Sequence, residues 1–367
     1  MSRTESYIVH SKISFGVDAF EPDIKQALKL FAQDSSDAVL VICRPALIDL
    51  MSSLCQSELK TPYKVVSQRG EPSTNDVDKI LSDLADLKVG MVIGVGGGSV
   101  LDAAKICSGF LGSGYNSFAD FYRAKDVLKK RVRLILCPTT SGTGSELSYG
   151  AIVNDSLQPR KFGVRGELLA PDLAIVDPKF TFALPKDVSI ETGFDCLTHA
   201  VESYCSLKST VPSRQNSVSA IRAMLRILPE FNTGTVSNES RVLASFHSMM
   251  MGVNLANSST CLPHRLQYTF AFETSASHAG GLAAVYPGWL AHISRQPIFS
   301  QLNDELGTDL HQGILKLFKQ LGLSHSLKEL GVSSSPVELA AKIEGNLALD
   351  PCYADGVVLD ILKEIYG

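Results

Sequence analysis

MVIGVGGGSVLDAAKI (91–106) opens as an apolar run, breaks into Gly96, Gly97, Gly98 and Ser99, and resumes with the apolar spacing of a helix. A run apolar at almost every residue is expected of a strand buried on both faces, which belongs in a parallel sheet rather than an antiparallel one with a wet side. Gly94, Gly96, Gly97 and Gly98 permit close backbone approach to a ligand. The helix that follows, expected from near Val100, would offer free N–H groups and a positive dipole end to an anion such as a pyrophosphate. The same residues also read as a tight strand-to-helix turn, and the pattern is not GxGxxG, because the third glycine at the required offset is replaced.

Outward from this segment the pattern repeats. AVLVICR (38–44), a helix to about residue 56, YKVVSQ and DVDKILSDLADL lie upstream, and RLILCPTT and LAIVDP lie downstream. Short β-branched runs alternating with helical stretches predict a doubly wound parallel sheet. A second Gly/Thr/Ser loop, PTTSGTGSE (138–146), follows another apolar strand. Two such loops at the carboxyl ends of neighbouring strands would build a cleft for a dinucleotide. From ALPKD (183–187) onward the strand signal fades. SVSAIRAMLRILPEF (217–231) and RVLASFHSMMMGVNLAN (241–257) have helical apolar periodicity, and Pro185 suits a boundary between elements. The reading is an α/β dinucleotide-binding domain over 1–183 and a helical metal- and substrate-binding domain over 184–367. SSSP (333–336) is expected to start a helix, with Ser as cap and Pro at the first position.

A chain of 367 residues can carry two cores, since single cores stop growing at roughly 250–300 residues. At 45% hydrophobic and 20% charged residues with a net charge of −4, the composition is ordinarily globular and provides no basic field for nucleic acid or anionic membrane. No stretch reaches the roughly 18–20 apolar residues of a membrane span, and MSRTESYIVHSKISFG lacks the layout of a secretory signal, so a cytoplasmic location is expected. The eight cysteines form no CxxC and sit mostly in apolar runs, as buried thiols would.

Asp195 and His199 lie in GFDCLTHAVESY (193–204). Their i, i+4 placement on a helix puts a carboxylate and an imidazole on one face, one turn apart. With His264 and His278 they sit at spacings that could close around one divalent ion. Three imidazoles and one carboxylate suit Fe(II) or Zn(II), and the lack of a thiolate argues against a structural zinc. The alternative is that all four are ordinary polar positions on a helix and in a loop-rich region.

In combination and in order, GGGSVLDAAK (96–105), PTTSGTGSE (138–146), PDLAIVDP (171–178), LP (184–185) and GFDCLTHAVESY resemble the iron-containing (group III) alcohol dehydrogenases, over nearly the whole chain. The resemblance implies a Rossmann-like parallel α/β domain followed by an all-α domain, in a dehydroquinate synthase-like architecture. It also implies that Asp195, His199, His264 and His278 ligate the metal, and that Gly97, Gly98, Ser99 and Asp102 meet the cofactor pyrophosphate. Thr139, Thr140 and Thr143 would line the other wall, and Lys161 would lie near the ribose or nicotinamide. A homodimer is expected by the same analogy and from the abundance of two-fold dimers.

Three departures shape the functional expectation. Tyr268 stands where many members have a second histidine four residues after the third ligand; it could relay a proton or pack against substrate. Ala279 intervenes between His278 and Gly280, so the loop is expected to bend one residue later. The first long strand ends in Arg44 rather than an acidic residue, which favours NADP(H) over NAD(H) by accepting a 2′-phosphate. The activity implied is hydride transfer between the nicotinamide, bound between the domains, and a small aldehyde or alcohol whose oxygen the metal polarises. Arg265 and the cluster Arg160, Lys161 and Arg165 could hold an anionic substrate such as phosphonoacetaldehyde, or could be solvated charges. Alternatives are a hydroxyacid–oxoacid transhydrogenase with retained cofactor, a relative of the dehydroquinate synthase branch, and a binding protein that has lost catalysis.

Overall fold

The computed structural model describes residues 5–84, 86–115, 120–121, 131–158, 160–323 and 326–367. By its internal contacts the chain divides into two compact units, one over Val9–Ala183 and the other over Leu184–Gly367 together with the residues up to Ile8. Side-chain bonds explain why the start of the chain joins the second unit. The Tyr7 hydroxyl donates to Asn254, the Ile8 N–H donates to Asn257, and Glu5 accepts the N–H of Val211.

The first unit is built on six parallel strands: β1 (Lys12–Phe15), β2 (Ala38–Cys43), β3 (Tyr63–Ser67), β4 (Val89–Gly96), β5 (Arg133–Pro138) and β8 (Leu173–Val176), in the order β1-β8-β5-β4-β2-β3. Helices α1 (Phe20–Asp34), α2 (Ile48–Glu58), α3 (Thr74–Ser82) and α4 (Gly98–Ser113) intervene. Alternate residues of the strands enter opposite cores, as a period of two requires. Leu40, Ile42, Val92 and Leu134 pack with Val77 of α3 and Leu101 of α4, while Val39, Val41, Met91 and Ile93 pack with Leu28 of α1 and Met51 of α2. All six residues of β2 are buried, which is why its sequence shows no polar alternation. Strand order reverses between β2 and β4, so the crevice at their carboxyl ends is the topological switch point of the sheet.

The hairpin β6 (Gly150–Asn154) and β7 (Lys161–Arg165) forms a separate antiparallel pair. The sequence of β7, KFGVR, hides this strand, because a glycine and two basic residues interrupt its apolar alternation.

The second unit is built from helices, with no strand among its described residues: α5 (Lys186–Cys205), α6 (Val211–Thr233), α7 (Asn238–Ser258), α8 (Leu262–Phe270), α9 (His278–Ile293), α10 (Pro297–Leu306), α11 (Leu310–Leu321), α12 (Pro336–Ala341) and α13 (Val357–Tyr366). Its core includes fully buried Trp289, Tyr204, Tyr286 and Phe194. Truncating one such aromatic to alanine would cost about 3–5 kcal/mol. α5 and α6 pack closely because Gly193 has no side chain; a Cβ there would lie 2.9 Å from Leu228 and 3.0 Å from Phe231. α12 starts as SSSP anticipates, with Ser335 accepting the N–H of Glu338. No helix among the described residues is long and apolar enough to cross a membrane.

Candidate metal centre and nucleotide loops

α5 is buried almost all round between Gly193 and Cys205, so its polar side chains there must be satisfied by one another or by a ligand. Asp195 and His199 are 4% and 5% exposed. His264 enters from the first turn of α8 and His278 from the first residue of α9. The Nε2 atoms of His199, His264 and His278 lie 3.8, 3.7 and 3.8 Å from a single oxygen, Oδ1 of Asp195. These separations are too long for hydrogen bonds. They lie close to the edge of a tetrahedron with ~2.1 Å bonds, which is about 3.4 Å.

The ligand atoms of Asp195, His199 and His264 are all within 4.8 Å of one another; His278 joins this group through Asp195. The imidazoles of His199 and His264 stack at 4.6 Å with an angle of 18°. Asp195 Oδ1 and His264 Nε2 are buried without a hydrogen-bond partner among the described residues. A buried carboxylate oxygen and imidazole nitrogen left bare are costly unless a cation fills the gap between them. The residues present therefore fit a divalent ion.

Electrostatics agree with the geometry. Burial alone would raise the Asp195 carboxyl, but His199, His264 and His278 outweigh it and hold the group well below the usual carboxylate range. Burial would lower His264, yet the carboxylates of Glu202 and Asp195 push it up to about 9.

Two residues that the sequence reading passed over orient the imidazoles. Glu202 Oε1 is 2.8 Å from His264 Nδ1, and Gln267 Oε1 is 3.0 Å from His278 Nδ1. With Nδ1 held, Nε2 is the nitrogen left to bind metal. Spacing carries no signal for these contacts, since Glu202 reaches a ring 62 residues away and Gln267 one on the next helix.

His278 has 28% of its side chain exposed, against 6% or less for the other three ligands, so the cluster opens on its side. The half-buried Tyr268 ring lies there, 6.0 Å from the His278 ring and 23° from parallel. His278 is not followed by a late bend. Ser277 caps α9 by accepting the N–H of Gly280, so the helix begins at the ligand itself.

In the first unit, the two glycine loops meet. A Cβ at Gly98 would lie 2.8 Å from Thr143 Cγ2, one at Gly97 would lie 3.5 Å from Thr140 Oγ1, and the Thr139 N–H donates to the Gly96 carbonyl. Gly97 caps α4 with no side chain over the helix end, and Gly97, Gly98 and Ser99 are half-buried. Thr139 Oγ1 is buried without a partner among the described residues. Open helix N–H groups, a cradle free of Cβ atoms and an unsatisfied hydroxyl together suit a pyrophosphate.

Asp102 is engaged within the protein: Oδ1 accepts the Ser145 hydroxyl and Oδ2 the Ile152 N–H. Fully buried Lys105 donates to Ser145, Ser148 and the Gly150 carbonyl. This pair fastens the second loop to α4.

Arg44 continues from β2 at the switch point, and its N–H donates to Val95 at the end of β4. Its Nε is buried without a partner among the described residues.

Two members of the basic cluster are paired within the protein. Arg160 pairs with Asp155 at 2.9 Å and Lys161 with Glu71 at 2.6 Å. Arg265 is 8% exposed, donates to Ser259 and packs its Cδ and Nε where a Cβ at Gly345 would be 3.2 Å away. All eight cysteines are buried free thiols, Cys196 among them in the core of the second unit.

A family model described as iron-containing alcohol dehydrogenase matches residues 11–178, and one for the C-terminal part of the Fe-containing alcohol dehydrogenase family matches residues 189–351. The chain is 31% identical over 298 residues to long-chain-alcohol dehydrogenase 1 of Geobacillus thermodenitrificans, covering 80% of this chain and 74% of that protein. The crystal structure of an iron-containing alcohol dehydrogenase from Thermotoga maritima matches with a TM-score of 0.84 at 25% identity, over 99% of this chain and 100% of that one. A sulfoacetaldehyde reductase from Bifidobacterium kashiwanohense, solved in complex with NAD+, matches with a TM-score of 0.86 over 100% of both chains; at 19% identity this likeness speaks to the fold alone.

Proposed function

The chain belongs to the iron-containing alcohol dehydrogenase family, and we propose that within it the protein is a metal-dependent reductase of small aldehydes that takes its hydride from NADPH. The observation that carries the reading is the convergence of three imidazole Nε2 atoms on one buried oxygen of Asp195. When bound, a divalent ion such as Fe(II) or Zn(II) would supply Lewis acidity at a carbonyl or alcohol oxygen, and a nicotinamide would give or take the hydride.

The protein's own residues do the rest. Asp195 supplies one negative charge and His199, His264 and His278 neutral donors, a set that leaves a dication electron-poor. Glu202 and Gln267 fix two of the rings. The His278 side of the cluster admits substrate, and the Tyr268 hydroxyl beside it can hold or pass a proton. In the first unit, Gly97, Gly98, Ser99 and the start of α4 receive the pyrophosphate, and Thr139, Thr140 and Thr143 form the facing wall. Asp102 keeps that wall in place through Ser145, and Lys161, paired with Glu71, is the candidate for the ribose or nicotinamide side. Arg44 offers its guanidinium to a 2′-phosphate, where a carboxylate would have selected the free ribose diol.

Arg160, Lys161 and Arg265 have partners within the protein, which leaves Arg165 as the cluster's candidate for holding an anionic aldehyde and a neutral short aldehyde as the simpler substrate. A cytoplasmic homodimer completes the reading.

Initial rates of NADPH and NADH oxidation across neutral and anionic short aldehydes test it, with Arg44→Asp alongside. The reading expects NADPH to be preferred and the preference to reverse in the variant. NADH preference in the wild type would overturn the cofactor choice. Exchange between a hydroxyacid and an oxoacid without added nicotinamide would replace the reductase by the transhydrogenase.

A further inference from the structure

Three helices bring metal-binding side chains together: α5 with Asp195 and His199, α8 with His264, and α9 with His278. One short stretch near the end of the chain touches all three. The Leu349 carbonyl accepts the N–H of Leu207, just beyond the end of α5, at 2.9 Å. Asp350, 3% exposed, does the remainder through a single oxygen: Oδ2 accepts the N–H of Leu262, the first residue of α8, at 2.9 Å and the indole N–H of Trp289, on α9, at 2.8 Å. Its Oδ1 accepts the N–H and the thiol of Cys352, both at 2.9 Å.

We propose that Asp350 is a positioning residue for the metal centre, holding the start of α8 and the body of α9 in the one arrangement that brings His264 and His278 onto Asp195. The proposal rests on the reading of that centre as a metal site. His264 lies only two residues beyond Leu262, so wherever Asp350 anchors the Leu262 N–H, the imidazole follows. The neighbouring N–H, of Cys261, is held by Glu202 Oε2 at 2.8 Å. Two consecutive N–H groups at the head of α8 are thus gripped by two buried carboxylates, one from the helix that carries Asp195 and one that also grips the helix that carries His278. The positive end of the α8 dipole favours both. Without Asp350, the buried Leu262 and Trp289 N–H groups lose their shared acceptor, and the link between the two helices is left to contacts such as that of Gln267 with His278.

The test compares metal-free wild type, Asp350→Ala, Asp350→Asn and Trp289→Phe, with Zn(II) affinity measured by chelator competition and Co(II) ligand-field bands as a record of site geometry. Asp350→Ala is expected to weaken Zn(II) binding about 10–100-fold and to shift the Co(II) bands. Asp350→Asn should fall between Asp350→Ala and wild type, because its amide oxygen can still accept from both Leu262 and Trp289 while its NH2 group meets the Cys352 N–H that Oδ1 accepts in the wild type. Trp289→Phe should shift both readouts in the same direction by less. A purely structural role would lower the melting temperature of the metal-free protein and leave the Co(II) bands in place. Wild-type affinity and bands in Asp350→Ala would overturn the proposal. If Asp350→Ala does not fold, unchanged affinity and bands in Trp289→Phe would overturn it. A wild-type chain that takes up no ion overturns the metal reading and this proposal with it; uptake with the unchanged variants overturns this proposal alone.

Discussion

Glu202 holds His264 at both ends of its attachment: one carboxylate oxygen is 2.8 Å from the ring Nδ1, and the other accepts the N–H of Cys261, the residue that caps the helix on which His264 stands. Ring and backbone are therefore aimed by one side chain that is itself fully buried. Glu202→Gln keeps the shape and removes the charge. It is expected to weaken divalent-ion binding about 10–100-fold, measured by chelator competition on the metal-free protein. Unchanged affinity would show that the ring is aimed by other contacts.

Gly98 is required for space rather than for an unusual backbone angle. Its added Cβ would lie 2.8 Å from Thr143 Cγ2, so Gly98→Ala must part the two loops of the first unit. The variant should bind reduced nicotinamide cofactor at least about tenfold more weakly, ~1.4 kcal/mol, by fluorescence titration. Its affinity for a divalent ion should be unchanged, since the ligands belong to the other unit. Wild-type cofactor affinity would remove these loops from the binding site.

Glu146 ends the second loop at 2% exposure, and burial pushes its carboxyl up to about 7 from 4.5, although nearby Lys105 opposes the shift. A folded-state value above the unfolded one means that the folded chain holds the proton more tightly. The stabilisation is complete below about pH 4.5 and is lost as pH rises through about 7. Glu146→Gln, which mimics the protonated form, should be close to neutral near pH 5 and stabilising near pH 8, by up to about 3 kcal/mol. Urea unfolding at both pH values measures it, and a pH-independent difference would contradict the assignment.

Ser259, at the end of α7, has φ 65° and ψ −177°, a region that is almost the preserve of glycine. Its hydroxyl accepts from Arg265, the neighbour of a ligand histidine. Ser259→Gly relieves the strain and loses that bond. Because the strain is worth about 1–3 kcal/mol and a bond from a charged guanidinium, long here at 3.3 Å, about 1.5 kcal/mol, the two nearly cancel and the melting temperature is expected to hold within a few degrees. A fall of several degrees would mean that the Arg265 contact is worth more than the backbone strain.

Much of this architecture was legible in advance because β2, β4, β5 and β8 are almost wholly buried and so read as apolar runs, with glycines marking where β4 gives way to α4. Asp195 and His199 were legible as one helical turn. What could not be read depends on partners distant in sequence. Lys161 looked available until Glu71 was found beside it, and Asp102 looked aimed at a phosphate until Ser145 and the Ile152 N–H were found to claim it. Asp350 lies in a stretch with no periodicity, and only the fold brings it to Leu262 and Trp289. Glu202 and Gln267 belong with these, since the rings they hold, His264 and His278, stand on other helices.

The most direct test of the central claim is to load the chain anaerobically with Fe(II) or Zn(II), measure ions bound per chain, and follow NADPH oxidation with short aldehydes in wild type and in His264→Ala. The account predicts about one tightly held ion per wild-type chain, turnover that disappears on chelation and returns on reloading, and neither property in the variant. Aldehyde reduction that persists in the fully chelated wild type, or at wild-type rate in His264→Ala, would contradict it.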